Sequence, residues 1–185
     1  MDFIVLIHIG IAIWLYKYFA RNDKGSKEPP KALRVAAYFG IGAVILAGFL
    51  NDIFVTGMLG LDIEAEFGQE TMGTLVASAL TVGVIEEVLK FVPLAFYIYK
   101  KGFFNELTDG IVYFGLAGIW FGAVESITYA LIYGGNVGLL RAITIPFLHA
   151  GFSAFAGYGL ARSKFITKRT GTIFVWLGLA IFLHA

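Results

Sequence analysis

The sequence predicts an all-α, polytopic membrane protein: a bundle of about six transmembrane helices, read as one transmembrane helical domain over residues 1–185. Three observations predict it. First, 58% of the 185 residues are hydrophobic and 15% are charged, where a soluble domain carries roughly 25% charged residues. The mean hydropathy is +0.80, so a fold in water would leave more apolar surface than one core can bury. Second, the apolar residues gather in six segments, at roughly 3–19, 32–50, 72–99, 108–133, 140–161 and 172–185. Third, the basic residues occupy every other loop.

A spanning helix needs about 20 largely apolar residues at about 1.5 Å each. The first five segments qualify, the first being short. It lacks a basic start and a small-x-small site, so it reads as a retained helix rather than a cleaved signal. The sixth has fourteen residues before the chain stops. It either ends at mid-membrane or belongs to a longer chain. Between segments one and two lie Arg21, Lys24, Lys27, Lys31 and Arg34; between three and four, Lys100 and Lys101; between five and six, Arg162, Lys164, Lys168 and Arg169. The other two loops share Arg141 alone, and the loop at 51–70 carries Asp52, Asp62, Glu64, Glu66 and Glu70. Basic loops stay cytoplasmic. The expected protein is therefore a multi-pass protein of the cell membrane, with cytoplasmic basic loops, an extracytoplasmic acidic loop at 51–70 and both termini outside.

Composition also excludes some classes. A net charge of +1 gives no basic face for nucleic acid. The absence of cysteine removes disulfides, thiol nucleophiles and thiolate metal sites.

Ionisable groups inside membrane spans are costly and mark functional sites. Here they are Glu86, Glu87 and Lys90 in the third segment, Glu125 in the fourth, His149 in the fifth, His184 in the sixth and His8 in the first. Glu86, Glu87 and His149 lie about 20 Å above the cytoplasmic ends of their segments, Glu125 about 24 Å and His184 about 18 Å. Four helices running alternately up and down thus place their costly side chains in one layer, about two-thirds of the way outward in a ~30 Å core. Glu86 and Lys90, four apart, share a helix face and can pair. Pro93 removes the hydrogen bond to Leu89. Phe121, Glu125 and Tyr129 line one face of the fourth helix, and His149 and Ser153 one face of the fifth.

A buried carboxylate beside a cation can serve as a base for water. Histidines can donate to an oxyanion, protonate a leaving amine or bind a metal. Amide hydrolysis within the membrane fits this set best. Singly, each residue has a structural reading: an ion pair, a helix-to-helix hydrogen bond, a packed histidine. Ser153 lacks an acid to complete a triad, Gly118 to Gly122 reads as a close-packing face, and His8 has no partner at matched depth. The functional reading rests on the shared depth.

Glu86-Glu87-Val88-Leu89-Lys90 resembles the EExxK signature of the PrsW family of intramembrane proteases, which is related to the CAAX-protease and bacteriocin-processing group. Asp109-Gly110, Tyr113, Gly118, Phe121, Glu125-Ser126 and Tyr129 resemble the family's second block, with its FxxxE core. Arg141-Ala142, Pro146, His149-Ala150 and Gly157-Tyr158-Gly159 resemble the third, and Leu183-His184-Ala185 the start of the fourth. The resemblance covers about residues 80–185. It implies a membrane-embedded endopeptidase acting on a transmembrane protein substrate, such as an anti-sigma factor, from the extracytoplasmic side. It implies Glu86, Glu87, Glu125, His149 and His184 as the catalytic set, with Lys90, Phe121 and Ser153 supporting. Either Glu86 or Glu87 is the base. No cofactor is required by the sequence; Glu86, Glu87, His149 and His184 also suit a divalent metal such as zinc. Two further readings fit buried Glu, Lys and His: a proton-coupled transporter or channel, and a catalytically silent membrane binding protein of the same fold. Against the former, no internal repeat is visible.

Overall fold

The computed structural model describes residues 2–22, 25–58 and 71–185, and the described residues form an all-α bundle. Six helices follow one another: α1 Asp2–Asn22, α2 Pro30–Asn51, α3 Met72–Ile98, α4 Leu107–Tyr133, α5 Gly135–Arg162 and α6 Gly171–His184. α2 and α5 each run on through a wider-wound stretch, Asp52–Met58 and Ser163–Thr167. Of the expected 51–70 loop, residues 59–70, with Asp62, Glu64, Glu66 and Glu70, lie outside the described residues.

Local chemistry sets the helix boundaries. Pro30 stands in the first turn of α2 after Pro29, where a missing N–H costs nothing. Thr71 caps α3, its hydroxyl accepting from the Thr74 amide at 3.3 Å. A reciprocal box opens α4: the Asp109 carboxylate accepts from the Glu106 amide at 2.9 Å, and the Glu106 side chain caps in return. Gly134 turns α4 into α5 in a single residue, at φ 91°, a conformation that suits glycine.

That tight turn corrects one expectation. Arg141 was expected in a loop; α5 begins at Gly135, so Arg141 is helical. The spans also sort differently. Among the described residues, four stretches are long and apolar enough to cross a membrane: Phe3–Asn22, Pro30–Gly57, Leu107–Tyr133 and Val137–Thr167. α3 matches α4 in length, with 27 residues, but interrupts its apolar run with Glu86, Glu87 and Lys90.

α4 is the central post, packed on α1, α2 and above all α5. Its glycines let backbones touch. A Cβ at Gly110 would stand 2.2 Å from the Gly157 carbonyl oxygen, and one at Gly157 2.1 Å from that of Gly110. Similarly, a Cβ at Gly40 of α2 would stand 2.1 Å from the Ala117 carbonyl oxygen of α4. Membrane helices gain their association from such close van der Waals packing rather than from expulsion of water. Around this post, Phe91, Leu94, Tyr113, Phe114, Leu116 and Ile119 form the buried core. Outward, large apolar side chains such as Phe3, Phe49, Phe96, Phe147 and Phe182 are exposed. Such a surface fits hydrocarbon as its solvent.

Three connections meet at one end of the bundle. The Ser26 hydroxyl bonds Asn105 and Glu106 at 3.3 and 2.9 Å, linking the α1–α2 and α3–α4 connections. Lys164, after α5, donates to the carbonyls of Tyr99 and Phe104 at 2.7 Å each. These are the connections that carry the basic residues. Just inside them the buried Tyr113 hydroxyl of α4 donates to Glu28.

Candidate active site

The costly side chains of α3, α4, α5 and α6 meet in one place. Glu87, fully buried, accepts from Lys90 at 2.5 Å and from His184 Nδ1 at 2.8 Å, both on Oε1. Its Oε2 faces the Ser153 hydroxyl at 3.4 Å. Lys90 Nζ also lies 2.8 Å from His149 Nδ1 and 4.2 Å from the Phe121 ring centre. His149 Nε2 lies 2.8 Å from Glu125 Oε2. Glu125 Oε1 accepts from Arg141 at 2.5 Å, and that guanidinium stacks on Tyr129, 3.8 Å from the ring centre. The two imidazoles sit edge to face, with ring centres 4.9 Å apart.

The structure therefore brings Glu86, Glu87, Lys90, Phe121, Glu125, His149, Ser153 and His184 into a single cluster. Of the two carboxylates within reach of Lys90 on its own helix, the ammonium bonds Glu87, three residues away, rather than Glu86. Spacings of three and four are both neighbours on a helix. The interior decides between them, because Phe121 and His149 hold the ammonium on the Glu87 side. Outside the cluster, His8 bonds the Ile4 carbonyl oxygen at 2.7 Å within α1.

The network fixes the tautomers. Lysine can only donate, so His149 Nδ1 accepts from Lys90 and its Nε2–H donates to Glu125. In its neutral form His184 donates Nδ1–H to Glu87 and carries a lone pair on Nε2. That nitrogen faces Glu86 Oε2 at 3.5 Å. Glu86 Oε2 is buried with no hydrogen-bond partner among the described residues. Glu86 Oε1 accepts from the Asn51 side chain of α2 at 3.2 Å.

Close packing positions the histidine. A Cβ at Gly118 would stand 2.3 Å from the His149 carbonyl oxygen, so α5 reaches α4 only because residue 118 is glycine. Beside the cluster lies a cavity of about 240 Å³ between α2 and α4, reaching Asn51, Glu86, Phe121, Glu125 and Tyr129.

Arg141 entered from the sequence only as a loop cation and in the third motif block, with no contact assigned to it, and Asn51 was not singled out. No local spacing betrays either, since their partners are 16 and 35 residues away.

Glu86, His149 and His184 each offer one ligand atom, and these lie within 4.8 Å of one another. The donor set fits a divalent cation. Each imidazole has one nitrogen held by a carboxylate, Glu125 or Glu87, the outer-sphere arrangement common at metal sites. Between neutral His184 Nε2 and Glu86 Oε2, 3.5 Å apart, a cation or a proton can be shared.

Comparison with known proteins identifies the family of the chain. Residues 28–185 match the PrsW-protease family, described as PrsW family intramembrane metalloprotease. The chain is 27% identical over 183 residues to Protease PrsW of Geobacillus kaustophilus, covering 97% of this chain and 76% of that protein. It is 26% identical over 178 residues to Protease PrsW of Bacillus subtilis, covering 95% and 77%. Against Protease PrsW of Oceanobacillus iheyensis the identity is 29% over 156 residues, covering 84% and 67%. No solved structure matches the chain significantly.

Proposed function

Because the chain belongs to the PrsW family of intramembrane proteases, we propose that the Glu86–Glu87–Glu125–His149–His184 cluster is its catalytic site. The substrate would be a single-span membrane protein, an anti-sigma factor being one example, cut within the outer half of the bilayer. The observation that carries this reading is the buried Oε2 of Glu86, which has no hydrogen-bond partner among the described residues and lies 3.5 Å from His184 Nε2 beside a cavity.

The chemistry follows from the contacts. Glu86 takes a proton from a water as the water oxygen attacks the scissile carbonyl. The carbon–nitrogen bond then breaks and the proton passes to the departing amine nitrogen. Lys90 offsets the charge of the neighbouring carboxylates from inside the cluster. Glu87 and Glu125 hold His184 and His149 in the tautomers that turn Nε2 and Nδ1 inward. Asn51 fixes the near oxygen of Glu86, leaving the far one for the reaction. Glu86, His149 and His184 would hold a zinc ion, with Lys90 yielding His149 Nδ1. A bound zinc ion supplies a more acidic water and polarises a carbonyl.

Sidedness completes the proposal. The connections that meet at one end carry the basic residues, which supports a cytoplasmic position for that end. The Asp52–Met58 stretch that continues α2 then lies toward the extracytoplasmic side. The test is a mass-spectrometric cleavage assay in liposomes with single-span peptides. Fragments from the parent and none from folded Glu86→Gln or Glu87→Gln are expected. Cleavage by Glu86→Gln at the parent rate would overturn the assignment.

A further inference from the structure

The basic end of the bundle divides into two sides of unlike charge balance. On one side the acids are engaged. Glu106 Oε1 accepts from the Ser26 hydroxyl at 2.9 Å. Asp109 Oδ2 accepts from the Asn105 and Glu106 amides at 2.6 and 2.9 Å, and Glu28 accepts from Tyr113. On the other side stand two basic runs, Lys100-Lys101 after α3 and Lys168-Arg169 before α6. The stretches 98–104 and 163–171 around them contain no acid. All four basic residues are exposed, and none of them forms an ion pair among the described residues.

Lys164 brings the two runs together. Its ammonium donates to the carbonyls of Tyr99 and Phe104 at 2.7 Å each, which pins the α5–α6 connection on the α3–α4 connection. Its own carbonyl accepts from the Lys168 ammonium. The backbone of the second run is held as well. The Ser163 hydroxyl donates to the Arg169 carbonyl at 2.8 Å, and the Lys168 amide to the Ser163 carbonyl at 3.0 Å. Lys168 takes φ 54°, a conformation in which glycine is less strained. On the first run, Lys101 leans on the Tyr97 ring, 5.3 Å from its centre. The fold thus gathers four cations on a fixed backbone. Like charges repel, and the balance is left to an anion from outside the chain.

The surroundings name that anion. Phe96, one turn before Lys100 on α3, is 84% exposed, and Phe174, in the first turn of α6, is 72% exposed. Large apolar side chains therefore begin where the cations end, which is the order of acyl chain and headgroup in a lipid. Basic clusters at the ends of membrane helices take anionic headgroups in this way. A free phosphate would use the cations and leave the apolar side chains idle.

We propose that Lys100, Lys101, Lys168 and Arg169 bind the phosphate of an anionic phospholipid seated between the end of α3 and the start of α6. The lipid ties together the feet of the two helices that carry Glu87 and His184, whose side chains meet at 2.8 Å. The site stands whether or not the cluster above it cuts peptides, because binding alone reads it.

The test is native mass spectrometry of the purified chain in detergent, titrated with phosphatidylglycerol or with phosphatidylcholine of the same acyl chains. A cation near the headgroup is worth up to about fivefold in affinity for an anionic lipid. The parent is therefore expected to prefer phosphatidylglycerol by roughly 100-fold or more. Lys100→Gln/Lys101→Gln and Lys168→Gln/Arg169→Gln should each lose roughly 30-fold of that preference. Lys27→Gln/Lys31→Gln, equal in charge removed but on the α1–α2 connection, should lose less than about threefold. Thermal unfolding reads the same site: phosphatidylglycerol should raise the Tm of the parent and of the Lys27→Gln/Lys31→Gln protein, and leave the other two variants unmoved. Equal affinity of the parent for both lipids, or equal losses in all three variants, overturns the proposal. So does an equal Tm rise with inorganic phosphate at the same concentration, which would assign the cations to a free anion.

Discussion

Adding one methyl group to α4 at Gly118 should damage the site without touching any of its polar residues. The Cβ of Gly118→Ala would stand 2.3 Å from the His149 carbonyl oxygen, 2.6 Å from its carbon and 2.8 Å from the Ala150 amide nitrogen. All three are backbone atoms of α5, so no rotamer change relieves the clash. Ordinary contact begins at 3.4 Å, so α5 must retreat by about 1.1 Å, a backbone shift of the kind that costs about 1–3 kcal/mol. The same shift would carry His149 away from Lys90 and Glu125, both now at 2.8 Å. Hydrogen bonds stretched to nearly 4 Å are lost. Gly122→Ala meets the His149 ring itself at 2.8 Å and needs a shift of about 0.6 Å. Gly151→Ala has nothing within 4 Å and serves as the control; alanine should stabilise that turn of helix by about 0.5–1 kcal/mol. The assay is thermal unfolding in detergent beside peptide cleavage in liposomes. Stability should rank Gly118→Ala below Gly122→Ala below Gly151→Ala, and Gly118→Ala should cut at least tenfold more slowly than the parent. Parent-like stability and rate in Gly118→Ala would refute the argument that backbone contact places His149.

Three further outcomes are expected. Arg141→Met should lower kcat about tenfold, because Glu125 loses its 2.5 Å partner and with it a fixed hold on His149. Arg141→Lys should recover only part, since an ammonium does not reproduce the stack on Tyr129; steady-state kinetics on the three proteins decides. Tyr113→Phe should cost about 1–3 kcal/mol in denaturant stability, by leaving the buried Glu28 without its hydroxyl donor, and should not change kcat. Elemental analysis of the purified protein should find about one zinc per chain, and much less in His184→Ala. Parent protein that is active and free of metal would leave Glu86 acting alone.

The helices were legible because lipid demands long apolar runs, and six such runs stand between clusters of polar residues. Their bounds fall within a few residues of the expected ones, except that α5 starts at Gly135. There the apolar pattern was weak, and one glycine accomplished what a longer loop was expected to do. The cluster was legible from depth alone: a charged side chain in hydrocarbon needs a partner, and side chains at one depth on neighbouring helices are the partners at hand. Pairing within the cluster was not legible. Lys90 can reach Glu86 or Glu87 from its own helix, and the choice belongs to His149 and Phe121, some 59 and 31 residues further on. Asn51 stayed hidden for a similar reason, since a polar residue at the end of an apolar run is what every membrane helix has.

The α2–α4 contact has the shape of tongs. The jaws are held near the basic end, by Glu28 against Tyr113 and by Gly40 against Ala117. Above that grip the contact continues, with Ala43 and Ala47 packed on Phe121, and only beyond it does a cavity open toward Asn51 and Tyr129. A tilt of α2 therefore hinges at Ala47, four residues or about 6 Å below Asn51, so 10° would carry that side chain only about 1 Å. Asn51 thus stays near Glu86, now 3.2 Å away, for as long as the Phe121 contact holds.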